Sequence, residues 1–525
     1  MKFRILAASV PALLFLSSSG PALALDGEPY IHDPSTVLEC DGKYYCWGTG
    51  GSGLVSDDGW TWHSGARVQA GAAPDLIHIG DRYYMAYASS GGGLGGNHAS
   101  TIRVKWSKTL DPKSPDYAWN DDHVVAASDG LEDCDAIDPG FLLDPTTGRL
   151  WVSYGTYFGF IRIVELDPKT GHHLDGNQPV NIAIDCEATD PIYRDGWYYL
   201  LGTHGTCCDG ANSTYNLRVG RSKSVTGPYL DNLGNDMIKG GGKLVAAASG
   251  RFVGLGHFGL MDLGDGIEKF TCHYEADLNR GGRSVLDIRP LLWKDGWPVG
   301  GDNLKEGTYE IQSESSGYAL ELAVDFVRMG GGRGGGFGGG RGRGGFGGGT
   351  NAPGVTNTPG GTNAPGGPGF GGGFGGGFGG RGGGGPVTPV AAQTLAEVSS
   401  NWPAGNLDLR LGDYMYRPHQ VWTITAVTNT TGFPGSPAFK ITLAGTDRAL
   451  AATADAEVTA VPAFTGAPEQ LWRIDQFTDG TYRIMPKEVP NSKEPLVLTA
   501  VGYSTPTLTK FDPKTDKARW NLRTP

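Results

Sequence analysis

A tight Gly-bearing turn followed at once by an aromatic strand segment recurs along the first half of this chain, and it constrains the fold more than any other feature. It stands at Asp41-Gly42-Lys43-Tyr44-Tyr45, at Gly80-Asp81-Arg82-Tyr83-Tyr84 and at Asp195-Gly196-Trp197-Tyr198-Tyr199. Looser copies stand at Gly148-Arg149-Leu150-Trp151 and Asp265-Gly266-Ile267-Glu268-Lys269-Phe270. Asp-Gly suits a two-residue hairpin because both central residues of that turn need positive φ. No long segment carries a convincing 3.6-residue apolar period, so the chain reads as all-β. Spaced hairpins of this kind predict a five-bladed β-propeller over residues 26–303, whose radial repetition leaves few open strand edges. A β-sandwich of similar strand count is the alternative.

The ionisable residues keep a phase within these repeats. Asp33 lies eight residues before Asp41, Glu187 eight before Asp195 and His257 eight before Asp265. Asp138 precedes Gly148 by ten and Asp75 precedes Asp81 by six. If that phase falls on the inner strand, acids from different blades converge on one central cavity. Cleavage of a glycosidic bond needs such a pair: one carboxylic acid protonates the leaving oxygen, and one carboxylate activates water or attacks directly. Two carboxyl groups in different surroundings can hold different protonation states at one pH.

The surrounding motifs sharpen this. They run from His32-Asp33-Pro34-Ser35 and Gly48-Thr49-Gly50 through Ala136-Ile137-Asp138-Pro139 to Glu187-Ala188. Cys207-Cys208, Asn212-Ser213-Thr214-Tyr215-Asn216 and Arg218-Val219-Gly220-Arg221-Ser222 follow, then Gly256-His257 and Ile288-Arg289-Pro290. In order and spacing they resemble glycoside hydrolase family 43, and within it the endo-1,5-α-L-arabinanases. The resemblance implies an inverting hydrolase of α-1,5-linked arabinan, a plant-type polysaccharide. Asp33 would be the general base, Glu187 the general acid, and Asp138 would raise the acid's pKa and orient it. Inversion implies Asp33 and Glu187 carboxyls roughly 6.5–9.5 Å apart, with room for a water. His32, Asp75 and Tyr157 would contact substrate, with His32 alternatively fixing the base. His257 would help to hold a water-coordinated cation, usually Ca2+, although calcium prefers oxygen ligands. Two departures bear on specificity. Ala72-Ala73-Pro74-Asp75 lacks the aromatic residue the family usually has at its first position, and Thr189 follows Glu187-Ala188 where proline is frequent. An exo-acting α-L-arabinofuranosidase or β-xylosidase, and a catalytically silent sugar-binding propeller, are the rival readings.

The remainder, residues 304–525, has repeats of its own. Tyr309-Glu310-Ile311, Phe439-Lys440-Ile441 and Tyr482-Arg483-Ile484 each begin a strand, and Gln420-Val421-Trp422, Gln470-Leu471-Trp472 and Ala518-Arg519-Trp520 close three repeats. This pattern resembles a β-trefoil of the ricin-type lectin family. The positions comparable to that family's sugar-binding acid are Glu321, Ala451 and Thr499, so the acid is largely absent. A Gly-rich tract at 330–386 cannot bury enough apolar surface to offset its ordering entropy; it is expected to be a disordered insertion within the first repeat. Its scattered arginines among Gly and Phe suit single-stranded RNA, but the rest of the chain argues against that.

Residues 1–24 read as a cleaved signal peptide: Lys2 and Arg4, an apolar run from Ile5 to Leu16, then Ala22-Leu23-Ala24. That run falls short of the roughly 20 apolar residues of a membrane span. The expected location is outside the cytoplasm, secreted or periplasmic, with no membrane partner, and the expected state is a monomer. The formal charge of −12 makes nucleic acid a poor partner. Seven cysteines, an odd number, predict one or two disulfides and at least one leftover thiol, with the pairing open.

Overall fold

The computed structural model describes residues 23–89, 98–131, 133–324, 394–400, 402–428, 430, 432–502 and 505–525. Of the expected signal peptide at 1–24, residues 1–22 lie outside the described residues, as does the Gly-rich tract at 330–386.

Among the described residues, five antiparallel sheets succeed one another along the first part of the chain. Blade I holds Leu38–Cys40, Lys43–Gly48, Ser52–Ser56 and Thr61–Ser64, with Asp26–Gly27 added in parallel beside the last. Blade II is Ala72–Ile79, Arg82–Ser89, Ala99–Ser107 and Asn120–Asp129. Blade III is Gly140–Leu143, Leu150–Tyr154, Ile161–Leu166 and Val180–Ala183. Blade IV is Glu187–Arg194, Trp197–His204, Asn216–Ser222 and Lys243–Ala247, and blade V is Phe252–Asp262, Glu268–Asp277, Arg283–Lys294 and Trp297–Gly300. This is a five-bladed β-propeller. The five turn motifs read from sequence join the first and second strands of their blades. Asp41 and Gly42 (φ 53° and 77°) and Asp195 and Gly196 (φ 50° and 79°) take the paired left-handed conformation that such hairpins need.

The ring is closed by the segment that enters blade I. Val37 donates its N–H to Leu260 O and Leu286 donates to Pro29 O, both at 2.8 Å or less. Aromatic and β-branched side chains fill the spaces between blades. Tyr199, Phe258, Phe270 and Tyr274 pack where blades IV and V meet, and Tyr84, Phe141, Val152 and Tyr154 where II and III meet. Asp75 ties three blades together: its carboxylate accepts the N–H of Thr36 (3.0 Å) and of Phe141 (2.9 Å).

Most of the described C-terminal strands form one large sheet with a threefold plan. Gly307–Ser313, Trp422–Ala426, Phe439–Leu443, Trp472–Gln476, Tyr482–Pro486 and Trp520–Arg523 pair in that order, and the last returns to the first, closing a ring of six described strands. Three hairpins accompany it: Ala319–Leu322 with Leu407–Gly412, Ala449–Ala452 with Val458–Val461, and Val497–Val501 with Thr505–Thr509. Each repeat fixes its tryptophan in the same way. The indole of Trp422 donates to Leu320 O (2.8 Å), Trp472 to Leu450 O (3.0 Å) and Trp520 to Leu498 O (2.9 Å). All three rings are fully buried in one core.

This region docks on the propeller at the ends of blades I and V that carry the turns. Gly435 N–H donates to Asp58 O and Trp293 N–H to Thr478 O, each at 2.8 Å. Arg483 pairs with Asp265 at 3.0 Å. Lys269 is buried at the junction, its ammonium on Gly435 O, and burial lowers its pKa to about 8.

Candidate active site

At the end of the propeller opposite those turns, the backbone repeats a feature that side-chain spacing alone does not show. One residue in each blade takes the left-handed conformation: Asp33 (φ 53°), Ala73 (46°), Asp138 (53°), Ala188 (47°) and His257 (58°). In blades II, IV and V the strand register slips at this point, between Ala72 and Asp75, Glu187 and Asp190, and Gly256 and Gly259. A bulge of this kind bends the strand and re-aims a side chain. Alignment on the left-handed residue corrects the eight-residue phase. Asp33, Asp138 and His257 are equivalent, whereas Glu187 stands one position earlier, at the place His32 holds in blade I. Asp75 stands two positions later, at the place of Asp190.

Asp33 sits in a shell of donors. Thr49 Oγ1 donates to Oδ2 at 2.5 Å, and Thr49 in turn accepts the N–H of left-handed Ala73 at 2.9 Å. His32 Nδ1 lies 2.8 Å from Oδ2, and His257 Nδ1 lies 3.3 Å from Oδ1. Burial alone would raise the Asp33 carboxyl, but hydrogen bonds and charge from His257 and His32 outweigh it and hold its pKa well below the usual range. Burial likewise opposes a charge on His32, yet Asp33 and Glu275 outweigh it and raise its pKa to about 10. His32 then presents an N–H to each of them, with Nε2 3.2 Å from Glu275 Oε1.

His273 and Glu275 complete this shell. The Asp33 N–H donates to His273 Nδ1 at 3.1 Å, which leaves the ring's proton on Nε2, 3.4 Å from Glu275 Oε1. Burial lowers the His273 pKa and keeps the ring neutral.

Glu187 has the opposite environment. Its carboxyl is buried, and the one hydrogen bond received by its side chain among the described residues comes from the Tyr215 hydroxyl, on Oε1. Burial pushes its pKa up to about 7; the Tyr215 bond works against this, and the Asp33 charge adds to it. Gly256 is what lets Tyr215 in: a Cβ there would stand 2.5 Å from the Tyr215 ring. Asp138 is raised well above the ordinary range by burial first, then by the charges of Glu187 and Asp33. Burial, not Asp138, leads the shift on Glu187.

Tyr157 is half-buried and donates to Thr203 O at 3.0 Å, near Glu187. Asp75 is buried and braces three blades with both carboxylate oxygens, as described above. His257 is buried, and its backbone N–H donates to Thr203 Oγ1 at 2.8 Å. With Nδ1 on Asp33, it has Nε2 left for a cation. It belongs to none of the described groups of three or more converging His, Cys, Asp or Glu ligands. That donor set does not fit a calcium ion ligated directly by the protein, which takes six to eight oxygens. Sequence alone assigns no role to Thr49, Tyr215, His273 and Glu275. The alternation His273-x-Glu275 on one face of a strand was the signal for two of them.

The arrangement is thus a carboxylate held ionised and a carboxylic acid held protonated toward neutral pH, brought together from blades I and IV. The chain is 37% identical over 246 residues to an extracellular exo-α-(1→5)-L-arabinofuranosidase of Cellvibrio japonicus, covering 43% of this chain and 68% of that one. It is 30% identical over 320 residues to the extracellular endo-α-(1→5)-L-arabinanase 1 of Bacillus subtilis, covering 55% of this chain and 95% of the relative. A solved exo-1,5-α-L-arabinanase from a bovine ruminal metagenomic library superimposes with a TM-score of 0.48 at 34% identity, over 53% of this chain and 99% of that one. Residues 34–298 match the glycosyl hydrolases family 43, and the chain belongs to that family.

Proposed function

We propose that this glycoside hydrolase cleaves α-1,5-L-arabinofuranosidic bonds in arabinan, within the chain, with inversion at the anomeric carbon. The observation that carries the reading is the divergence of two carboxyl groups in one site. Asp33 is held ionised by His257, His32 and Thr49, and Glu187 is held protonated by burial. Glu187 gives its proton to the leaving oxygen. Asp33 takes a proton from the water that attacks the opposite face of the sugar. Asp138 accepts the N–H of Ala188, which fixes the backbone beside Glu187. His32 and Tyr157 border the sugar. A cation here would be held by His257 Nε2 and water.

Arabinan as substrate is supported by the names of both relatives above, and export by their description as extracellular together with the leader sequence. The 37% identity to an exo-acting enzyme favours a second reading, release of single sugars from chain ends. The closed six-strand ring with three hairpins supports reading residues 304–525 as a β-trefoil of the ricin type. Its one acid at a comparable sugar-binding position, Glu321, is engaged by Arg410 (2.7 Å) and Gln420 (2.7 Å).

The test is product analysis on debranched linear arabinan, with Asp33→Asn and Glu187→Gln beside the wild type. Short oligosaccharides from the wild type and at least a thousandfold less from either variant are expected. Arabinose alone from the first time point establishes the exo reading instead. No product from arabinan, xylan or aryl arabinosides rejects both.

A further inference from the structure

Cys207 and Cys208 are bonded to each other, the single disulfide among the described residues, while Cys40, Cys46, Cys186 and Cys272 are free and buried. The linked pair lies at the edge of the site. The N–H of Cys208 donates to Glu275 Oε1 at 3.1 Å. That same oxygen faces His32 Nε2 at 3.2 Å and His273 Nε2 at 3.4 Å, and those two rings hold the Asp33 carboxylate and the Asp33 N–H. Both sulfurs, an imidazole nitrogen of His32 and a Glu275 oxygen lie within 4.8 Å of one another.

Cys208 also has φ 61°. A non-glycine residue is uncommon in that region and persists there where its surroundings hold it. The bond to its neighbour closes a small ring through the peptide between them and supplies that constraint. Cys208 is exposed and Cys207 half-buried, so a dissolved reductant reaches them.

We infer that the Cys207–Cys208 disulfide is a redox-sensitive positioning element for the base: it holds the Cys208 N–H on Glu275, and Glu275 sets His32 and His273 against Asp33. The inference rests on the role proposed above for Asp33. A small dithiol such as dithiothreitol breaks the S–S bond by thiol–disulfide exchange. Two electrons and two protons pass to the cysteines, giving two thiols, and the dithiol is oxidised to its own disulfide. With the ring open, residue 208 relaxes from its left-handed conformation and its N–H leaves Glu275. One constraint on the pair of histidines is lost, and Asp33 is less well aimed at its water.

The experiment uses the full chain, oxidised and reduced, with native thiol titration to confirm that reduction exposes two thiols. Two readouts are taken: steady-state hydrolysis of linear arabinan, and hydrogen–deuterium exchange across the peptides covering 205–212 and 271–277. Reduction is expected to lower kcat about fivefold to twentyfold with little change in KM, and to raise exchange in those two segments but not in the other blades. Cys207→Ser/Cys208→Ser should match the reduced wild type and ignore the reductant. Two exposed thiols with unchanged exchange overturn the inference, as does raised exchange with unchanged kcat. If the oxidised wild type does not act on arabinan at all, the functional reading fails, while the exchange experiment still tests whether the disulfide fixes this segment.

Discussion

The propeller and the C-terminal region are both built by internal repetition, yet they use it in opposite ways. In the threefold region the repeats keep the same contact: each tryptophan indole donates to a leucine carbonyl, and all three rings fill one core. In the propeller the repeats keep the same backbone and change the side chain. The left-handed position reads Asp, Ala, Asp, Ala, His from blade I to blade V. The position before it reads His32, Ala72, Ile137, Glu187 and Gly256. Where repeats agree in side chain they make a core; where they agree only in backbone they are free to carry chemistry. Glycosidic cleavage needs carboxyl groups that differ from one another, and a ring of equivalent bulges in unequal surroundings provides them.

The largest expected effect tests the first half of this contrast. Trp472→Ala removes a fully buried indole and its bond to Leu450 O. A loss of about 3–5 kcal/mol is expected from the lost burial and the cavity together, read by urea unfolding of the full chain. Turnover by the folded fraction should stay within about twofold, because the region docks on the turn end of the blades, away from Asp33 and Glu187. A fall in kcat that tracks the fall in stability would show that the two regions are coupled, and would break the comparison.

Asp138→Ala tests the second half. Alanine already occupies the same backbone position at Ala73 and Ala188, at φ 46° and 47°. The variant should fold with an unchanged or higher thermal midpoint, since it removes a buried acid. Its turnover on linear arabinan should fall about a hundredfold, some 2.7 kcal/mol of barrier. A variant that fails to fold would mean that the aspartate, rather than the repeat, holds this backbone.

A smaller effect follows from the Glu187 environment. Its pKa is raised to about 7 in the fold, against about 4.3 in an unfolded chain. The folded state therefore favours the protonated form. That contribution is fully present below the unfolded value and is lost as the pH rises through 7. Glu187→Gln, which cannot ionise, should match the wild type in thermal midpoint at pH 4 and exceed it by a few degrees at pH 8. In the wild type, kcat/KM should decline above about pH 7 as the acid loses its proton. A variant no more stable at pH 8 would place Glu187 in a more solvated setting than its burial indicates.

Much of this was legible in the sequence, for a physical reason. Turns that need positive φ leave Gly and Asp in fixed places, so the five hairpins and the order of the blades could be read from residues such as Asp41-Gly42 and Asp195-Gly196. The family motifs named Asp33, Asp138 and Glu187. The bulge that separates the Glu187 position from that of Asp33 could not be read, because Ala73 and Ala188 carry no mark of a left-handed backbone. Nor could the partners that set the two pKa values. Tyr215, His273 and Glu275 reach the site from other strands, 28 to 243 residues away in sequence from the groups they touch. Asp75 shows the converse case: the family resemblance implies a contact with substrate, but a buried carboxylate whose two oxygens meet the N–H groups of Thr36 and Phe141 is a brace. Sequence separation hides such contacts, whereas a turn is local and declares itself.

The smallest effect concerns the one left-handed position that is neither acid nor alanine. His257 has two functions open to it, a hydrogen bond to Asp33 through Nδ1 at 3.3 Å and a contact to a hydrated cation through Nε2. The two are separable. His257→Ala removes both, whereas dialysis against EDTA removes only the cation. Because a single imidazole among waters is a weak calcium site, chelation should change kcat less than about twofold, and added calcium should restore little. His257→Ala should cost about tenfold, with the loss in kcat rather than KM, since it strips one of the donors that hold Asp33 ionised. Equal losses from chelation and from His257→Ala would assign the position to the cation. The fifth blade would then contribute a metal, and not a second donor to the base.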